Sequence, residues 1–444
     1  MKRKTIVFMS LLMSLILLVS ILSGCGGGNK GGDGGGASGG GGTSESTSGG
    51  GEQITITVLL PEHEADQKGF ITEETRKFEE ETGIKVEMVR MGWMNVADRV
   101  MAELTSGGTT FDVIEFDNAW VAKFVANDWV VPLNDYMTPD MWDGISPSLI
   151  KKFSSPDGQL YGIVWLNEVR SFMYNKAMLE AAGYNEPPKT WAQLKEQSLN
   201  MMDMGLCKYG TMDSFVWING ATFMTYSFGG DFIDKDGNIT IATDPGVKAA
   251  YDYLADGMLV SKHWDPASVL ADGETIGNTF CMGNIPFLPN AWPGVYEMAN
   301  DPATSNIVGD CAVAPWVVSV DGTITEPLTL PEAMAIPTTS KNKDAAWEYI
   351  KYISSYDVEK RKAIAIGALP IWTELYNDPD LLAIYPHWEI FGKLLLTARG
   401  LIDVEWIDEF AVICERETQN IMLGNVSVDE GLRTMHDEVE AIAK

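Results

Sequence analysis

The chain has 444 residues, 45% of them hydrophobic, with 62 acidic residues against 32 basic ones and a formal net charge of -30. Such a charge repels nucleic acid and anionic bilayer surfaces, which excludes both as partners, while the length allows two domains with full cores. Five cysteines and four scattered histidines lack the spacing of a zinc site, so neither a metal nor a cofactor is expected.

In chain order, Lys2-Arg3-Lys4 precedes a charge-free run to Leu22, and small residues precede Cys25. This pattern predicts a secretory signal over residues 1–24, its apolar run being short for a membrane span. Leu22-Ser23-Gly24-Cys25 resembles a bacterial lipobox, which implies cleavage before Cys25 and lipidation of that residue. Loss of three basic residues then lowers the charge from -30 to -33. Residues 26–51 hold 15 Gly and cannot bury a core, so 25–51 are expected to form a flexible tether with a reach of roughly 25–30 Å. Cys207, Cys281, Cys311 and Cys414 allow three disulfide connectivities, with buried thiols as the alternative.

The folded part starts at the apolar strand Ile54–Leu60. A helix follows over Phe70–Glu81, then a strand at Ile84–Met88 and a helix with Val96, Val100 and Leu104 on one face. A strand at Phe111–Phe116 and a helix carrying Trp120, Val121, Phe124 and Val125 complete the run. The alternation predicts a parallel sheet covered by helices. Open parallel sheets bind ligands at the carboxyl ends of their strands, which are Pro61-Glu62-His63, Met91-Gly92-Trp93 and Asp117-Asn118-Ala119-Trp120. Further on, Ser171–Tyr174 reads as a strand. Thr190 with Gln193 forms a capping box for a helix to Met204, and Asp244-Pro245 opens another helix. Asp234–Asn238 is expected to be a hairpin turn rather than a calcium loop. Met334–Pro337 reads as a short strand and Asp344–Ser354 as a helix.

Motifs spread over nearly the whole mature chain then resemble a known family. They are Phe78-Glu-Glu-Glu-Thr-Gly-Ile-Lys-Val86, Asp112-Val113, Trp129-Val-Val-Pro-Leu133, Tyr161-Gly-Ile163, Tyr174-Asn-Lys176, Ala182-Gly183 and Pro188-Lys-Thr-Trp191. Phe280 with Gly283, Ser340-Lys-Asn-Lys343, Gly367-Ala-Leu-Pro370, Ala398-Arg399 and Gly424-Asn-Val-Ser-Val-Asp-Glu430 follow in order. Together they resemble the extracellular solute-binding proteins of family 1, the group that includes maltose-binding protein. Pro286-Phe287 departs from the Ala-Met usual there, though Trp292 is present. The resemblance implies an α/β, two-lobed periplasmic-binding-protein-like type II fold with a hinge and an interlobe ligand cleft, crossed by the chain near 165, 325 and 367. Lobe 1 would comprise 52–164 plus 326–366, and lobe 2 165–325 plus 367–444. It implies a monomeric, lipid-anchored receptor on the extracellular face of the membrane of a Gram-positive-type bacterium, handing its ligand to the permease of an ABC importer.

A receptor of this kind breaks no bond, so no enzyme activity is expected. Sugar faces stack on flat rings, and sugar hydroxyls need carboxylates, amides and guanidinium groups. The residues chosen on that basis are Glu62, Asp117, Asn118 and Trp120 from the first lobe, and Trp165, Asn167, Glu168 and Arg170 at the crossing. Trp217, Asn219, Asp231, Asn290 and Trp292 come from the second lobe, with Glu332 before the returning strand and Arg399 near the end. Trp120, Trp165 and Trp292 lead the set. A carbohydrate of oligosaccharide size is the expected ligand; the alternatives are a secreted glycoside hydrolase, a binder of a polyamine or betaine, and a sensor lipoprotein.

Overall fold

The structure, a computed structural model, describes residues 53–62 and 69–444; Cys25, the signal and the tether lie outside them, as does His63. The first half-turn of the chain follows the sequence pattern. β1 (Thr55–Pro61), α1 (Phe70–Thr82), β2 (Lys85–Met91), α2 (Trp93–Thr105), β3 (Val113–Asp117) and α3 (Val121–Ala126) alternate. β1 lies between β2 and β3 and parallel to both, with Thr55 opposite Lys85 and Val58 opposite Val113. Ile56, Val58, Phe78, Val100 and Phe116 are fully buried, because strand and helix periods both aim their apolar residues at one layer.

α4 (Pro139–Gly144) and α5 (Pro147–Lys152) each begin at a proline, where the missing N–H costs nothing. They lead to β4 (Ile163–Leu166). A second sheet then begins with β5 (Ser171–Asn175), followed by α6 (Lys176–Ala181) and α7 (Trp191–Asp203). In α7 the Thr190–Gln193 capping box closes in both directions. Next come α8 (Asn219–Ser227), α9 (Pro245–Ala255), α10 (Gly273–Cys281), β6 (Phe287–Ala291), α11 (Gly294–Asn300) and β7 (Cys311–Val313). The second sheet has the order β6-β5-β7, antiparallel throughout. Asp234–Asn238 is a turn, its Asp234 carboxylate accepting the Asp236 and Asn238 N–H groups between bridged Ile233 and Ile239.

β8 (Glu332–Ala335) then returns to the first sheet, whose order is β2-β1-β3-β8-β4. β8 runs antiparallel to both β3 and β4, so this sheet is mixed where a parallel one was expected. The chain re-enters from the end of the sheet at which β3 and β4 leave it, with Glu332 opposite both Asp117 and Leu166, and no crossover helix turns it round. The strand also starts two residues before its expected position, which puts Glu332 inside it.

Six helices complete the chain: α12 (Lys343–Ile353), α13 (Tyr356–Ile366), α14 (Pro379–Ile384), α15 (Trp388–Thr397), α16 (Ile407–Met422) and α17 (Val428–Ile442). Two segments join the two sheets. Residues 167–170 connect β4 to β5, and residues 314–331 connect β7 to β8. They pair with each other, Val169 bridging Thr329 and the Arg170 N–H donating to the Leu328 carbonyl at 2.8 Å. A third passage is expected near 367, and beyond that residue the chain still touches the helices beside the first sheet. Ser146 N–H donates to the Ile371 carbonyl at 2.9 Å and Ile145 bridges Trp372, while α15 packs on α5. The Trp372 ring covers Gly144, where a Cβ would fall 2.2 Å from it. Arg399 and Gly400 then touch Tyr226 of α8, and α16 and α17 pack on the helices of the second sheet.

Candidate ligand-binding site

The two sheets present polar groups at the ends joined by these segments. On the first sheet, Asp117 and Glu332 are direct cross-strand partners and so share a face. Asp117 accepts the Ala119 N–H at 2.8 Å, which tightens the turn toward α3. Burial, reinforced by Glu332 and Glu168, pushes the Asp117 carboxyl up to about 7 against the Ala119 N–H and the nearby Lys152. Asn118 is buried beside it, its carbonyl oxygen without a hydrogen-bond partner. Behind this pair, Glu115 is wholly buried and held well above the carboxylate range by burial, Glu332 and Asp117.

Beside the second sheet the centre is Arg170, the last residue of the connecting segment. Its Nε pairs with Glu168 at 2.6 Å, and Nη1 donates to the Asn290 carbonyl at 3.3 Å. Its guanidinium lies 5.9 Å from the Trp292 ring centre. Asn290 donates through Nδ2 to Asp213 at 3.0 Å and leaves its own Oδ1 unpartnered. Burial raises Asp213 to about 6, opposed by the Ser214 N–H, Asn290 and Arg170. A third cluster joins Arg399 to Asp231 by an ion pair, with the guanidinium 3.7 Å above the Tyr226 ring.

The chosen tryptophans divide. Trp292 is half-buried and retains exposed ring surface. Trp120 is 3% exposed and stacks on Phe124 at 5.4 Å. Trp165 is 0% exposed, its indole N–H donating to Glu115 at 2.9 Å and its carbonyl accepting from Lys362 of α13 at 2.6 Å, so in this form it is enclosed. Asn167 is likewise enclosed, donating to the Pro370 carbonyl at 2.9 Å and to the Tyr376 hydroxyl at 3.0 Å. Trp217 is half-buried with a positive φ of 61°, a conformation that costs a non-glycine residue about 1 kcal/mol or more. Its N–H is tied to Glu415 at 3.0 Å. Asn219 opens α8 with an unpartnered Oδ1, and Glu62 is exposed at the end of β1.

Sequence reasoning missed Asp213, Lys152 and Tyr226. Asp213 precedes no recognisable cap or strand end, and only its pairing with Asn290 marks it. The four cysteines are free thiols, three of them buried, and among the described residues no three His, Cys, Asp or Glu side chains are grouped to hold a metal. An open depression of about 780 Å³ beside Leu206, Cys207, Lys208, Asp265 and Asn284 contains none of the chosen residues.

Two sheets are thus joined by connecting segments that pair with each other, with carboxylates and amides close to them. Residues 61–360 match the model of the bacterial extracellular solute-binding protein family, and the chain belongs to that family. Its members bind a solute for an ABC transporter and are non-catalytic. A probable amino-acid ABC transporter periplasmic-binding protein of Sinorhizobium fredii is 25% identical over 332 residues, covering 70% of this chain and 72% of its own. The maltotriose-binding protein of Pyrococcus abyssi is 23% identical over 274 residues, 61% of this chain and 56% of its own. The solved structure of maltose-bound MalE3 of T. maritima superposes with a TM-score of 0.77 at 21% identity, covering 88% of this chain and all of that one. That likeness establishes the mixed α/β periplasmic-binding-protein fold. No helix among the described residues is long and apolar enough to cross a membrane.

Proposed function

We propose that the protein captures a carbohydrate, of oligosaccharide size, between two lobes and delivers it to the permease of an ABC importer, tethered outside the cell by a lipid on Cys25. The lobes are taken as 53–166 with 332–397, and 171–313 with 407–442. The observation that carries the reading is the mixture of polar groups near the segments between the sheets. Asp117 and Glu332 are paired on the first sheet with Asn118 beside them. Glu168 and Arg170 lie on the connecting segment, Glu168 near enough to act on the Asp117 carboxyl, and Asn290 and Trp292 lie at the end of β6. A polyol needs such a mixture, because each hydroxyl both donates and accepts, while Trp292 offers a ring to a sugar face. Closure then follows from contacts made to both halves at once.

The excess of carboxylates around Asp117 favours a second reading, a cationic solute. A thermal-shift screen separates the two, since a ligand that binds only the folded form raises its apparent stability. Saccharides are expected to raise Tm. Stabilisation by spermidine, betaine or an amino acid, with none by any saccharide, overturns the carbohydrate assignment. Trp292→Ala is expected to weaken binding of the stabilising sugar at least tenfold in calorimetric titration while unfolding at nearly the same temperature.

A further inference from the structure

Away from the hinge strands, the two halves meet again where α3 and α5 approach the segment leading into α16. The Ala122 N–H donates to Asp403 Oδ1 at 2.8 Å. One residue on, Lys123 Nζ pairs with Asp408 Oδ2 at 2.8 Å. Lys152 Nζ donates to the Leu401 carbonyl at 3.3 Å, and its stem lies against Gly400, where a Cβ would fall 2.5 Å from the Lys152 Cδ. α3 and α5 belong with the first sheet, Phe124 and Phe153 both packing on Phe116. α16 belongs with α8, α9 and α17.

These contacts act on the turn that carries Asp117, Asn118 and Trp120. Trp120 is the N-cap of α3, with no side-chain oxygen to satisfy the free amides of the first turn. Asp403, on the segment that leads into α16, supplies that acceptor. We propose that Asp403 and Asp408 are positioning residues. They hold the Asp117–Trp120 turn in place and restrain the separation of the two halves, so opening of the cleft breaks both contacts. The inference rests on the reading of that cleft as the solute site. Lys123–Asp408 is partly exposed, with side-chain exposures of 24% and 46%, and such a pair contributes little alone. The Ala122–Asp403 bond is exposed as well, but it is charge-assisted and made to the backbone of the turn, so it bears on that turn directly.

The test uses the whole ligand-free protein, so its outcome is independent of the solute screen. Amide hydrogen exchange over residues 119–126 and the radius of gyration by X-ray scattering are compared for wild type, Asp403→Ala, Asp403→Asn and Asp408→Asn. Asp403→Ala is expected to speed exchange of the Ala122 amide about tenfold and to enlarge the radius of gyration. Asp403→Asn keeps the acceptor and is expected to restore most of the protection, with Asp408→Asn showing a smaller effect. Exchange in α16 and α17 should stay at wild-type rates. Unchanged exchange at Ala122 in Asp403→Ala overturns the proposal. So does equal loss of protection in α16, which reports general unfolding, or failure of Asp403→Asn to rescue.

Discussion

Asp117 and His263 pull the pH dependence of stability in opposite directions. A carboxyl raised to about 7 from 3.8 binds its proton more tightly in the folded chain than in the unfolded one. Its contribution is complete below about 4 and is lost as pH rises through about 7. His263 is fully buried between Tyr253 and Ser261, and burial lowers it to about 4 from 6.5. Its contribution is present above 6.5 and is lost as pH falls through about 4. Asp117→Asn is therefore expected to gain about 1–3 kcal/mol relative to wild type at pH 8, with the difference shrinking at pH 5, in urea unfolding at the two pH values. A second residue-scale prediction concerns Lys362 and Glu359, both 0% exposed. Lys362 Nζ also donates to the Trp165 carbonyl at 2.6 Å, and Glu359 accepts the Ile371 N–H at 3.0 Å, so the pair pins β4 to the segment after α13. Lys362→Met strands a buried carboxylate and should cost about 3–5 kcal/mol; Glu359→Gln combined with Lys362→Met should recover part of that loss in the same assay.

At the scale of elements, local chemistry made the helices readable. Thr190 with Gln193 announced α7, and Asp244 with Pro245 announced α9, because a cap's partner lies only two or three residues away. Thr190→Ala is expected to cost about 1 kcal/mol by loss of that cap. The first turn of α9 holds a tighter constraint: a Cβ on Gly246 would fall 2.5 Å from the Gly230 backbone nitrogen. Backbone cannot yield as a flexible side chain does, so Gly246→Ala should destabilise by about 1–3 kcal/mol, measured by denaturant midpoint. The direction of β8 was not readable. It depends on where the chain stands after a long excursion through the other sheet, and the apolar run of β8 is the same in either direction.

For the whole molecule, the strand-end rule pointed to Asp117, Asn118 and Trp120, and Asp117 lies opposite Glu332 in the sheet. Residue type could not distinguish Trp292, half-buried, from Trp165, enclosed, since both are aromatic residues in or beside a strand and burial depends on neighbours remote in sequence. Asp213 and Lys152 escaped notice for the matching reason: their partners, Asn290 and the Leu401 carbonyl, are remote in sequence. The charge of -30 also belongs to this scale. Self-repulsion among so many carboxylates opposes compaction, and salt screens it. Raising NaCl from about 10 to about 300 mM is expected to lift Tm by a few degrees in calorimetry; a fall would mean that the attractive ion pairs outweigh the repulsion.

The insertion of β8 between β3 and β4 has a consequence for how the chain assembles. β3 gains its inner neighbour only when Ile114 meets Ala335, so the first sheet stays divided until the second has been made. The helices α8 and α9 wait in turn for α16 and α17. Pairings so distant in sequence form slowly, so each layer is completed by elements far along the chain from the partners they cover.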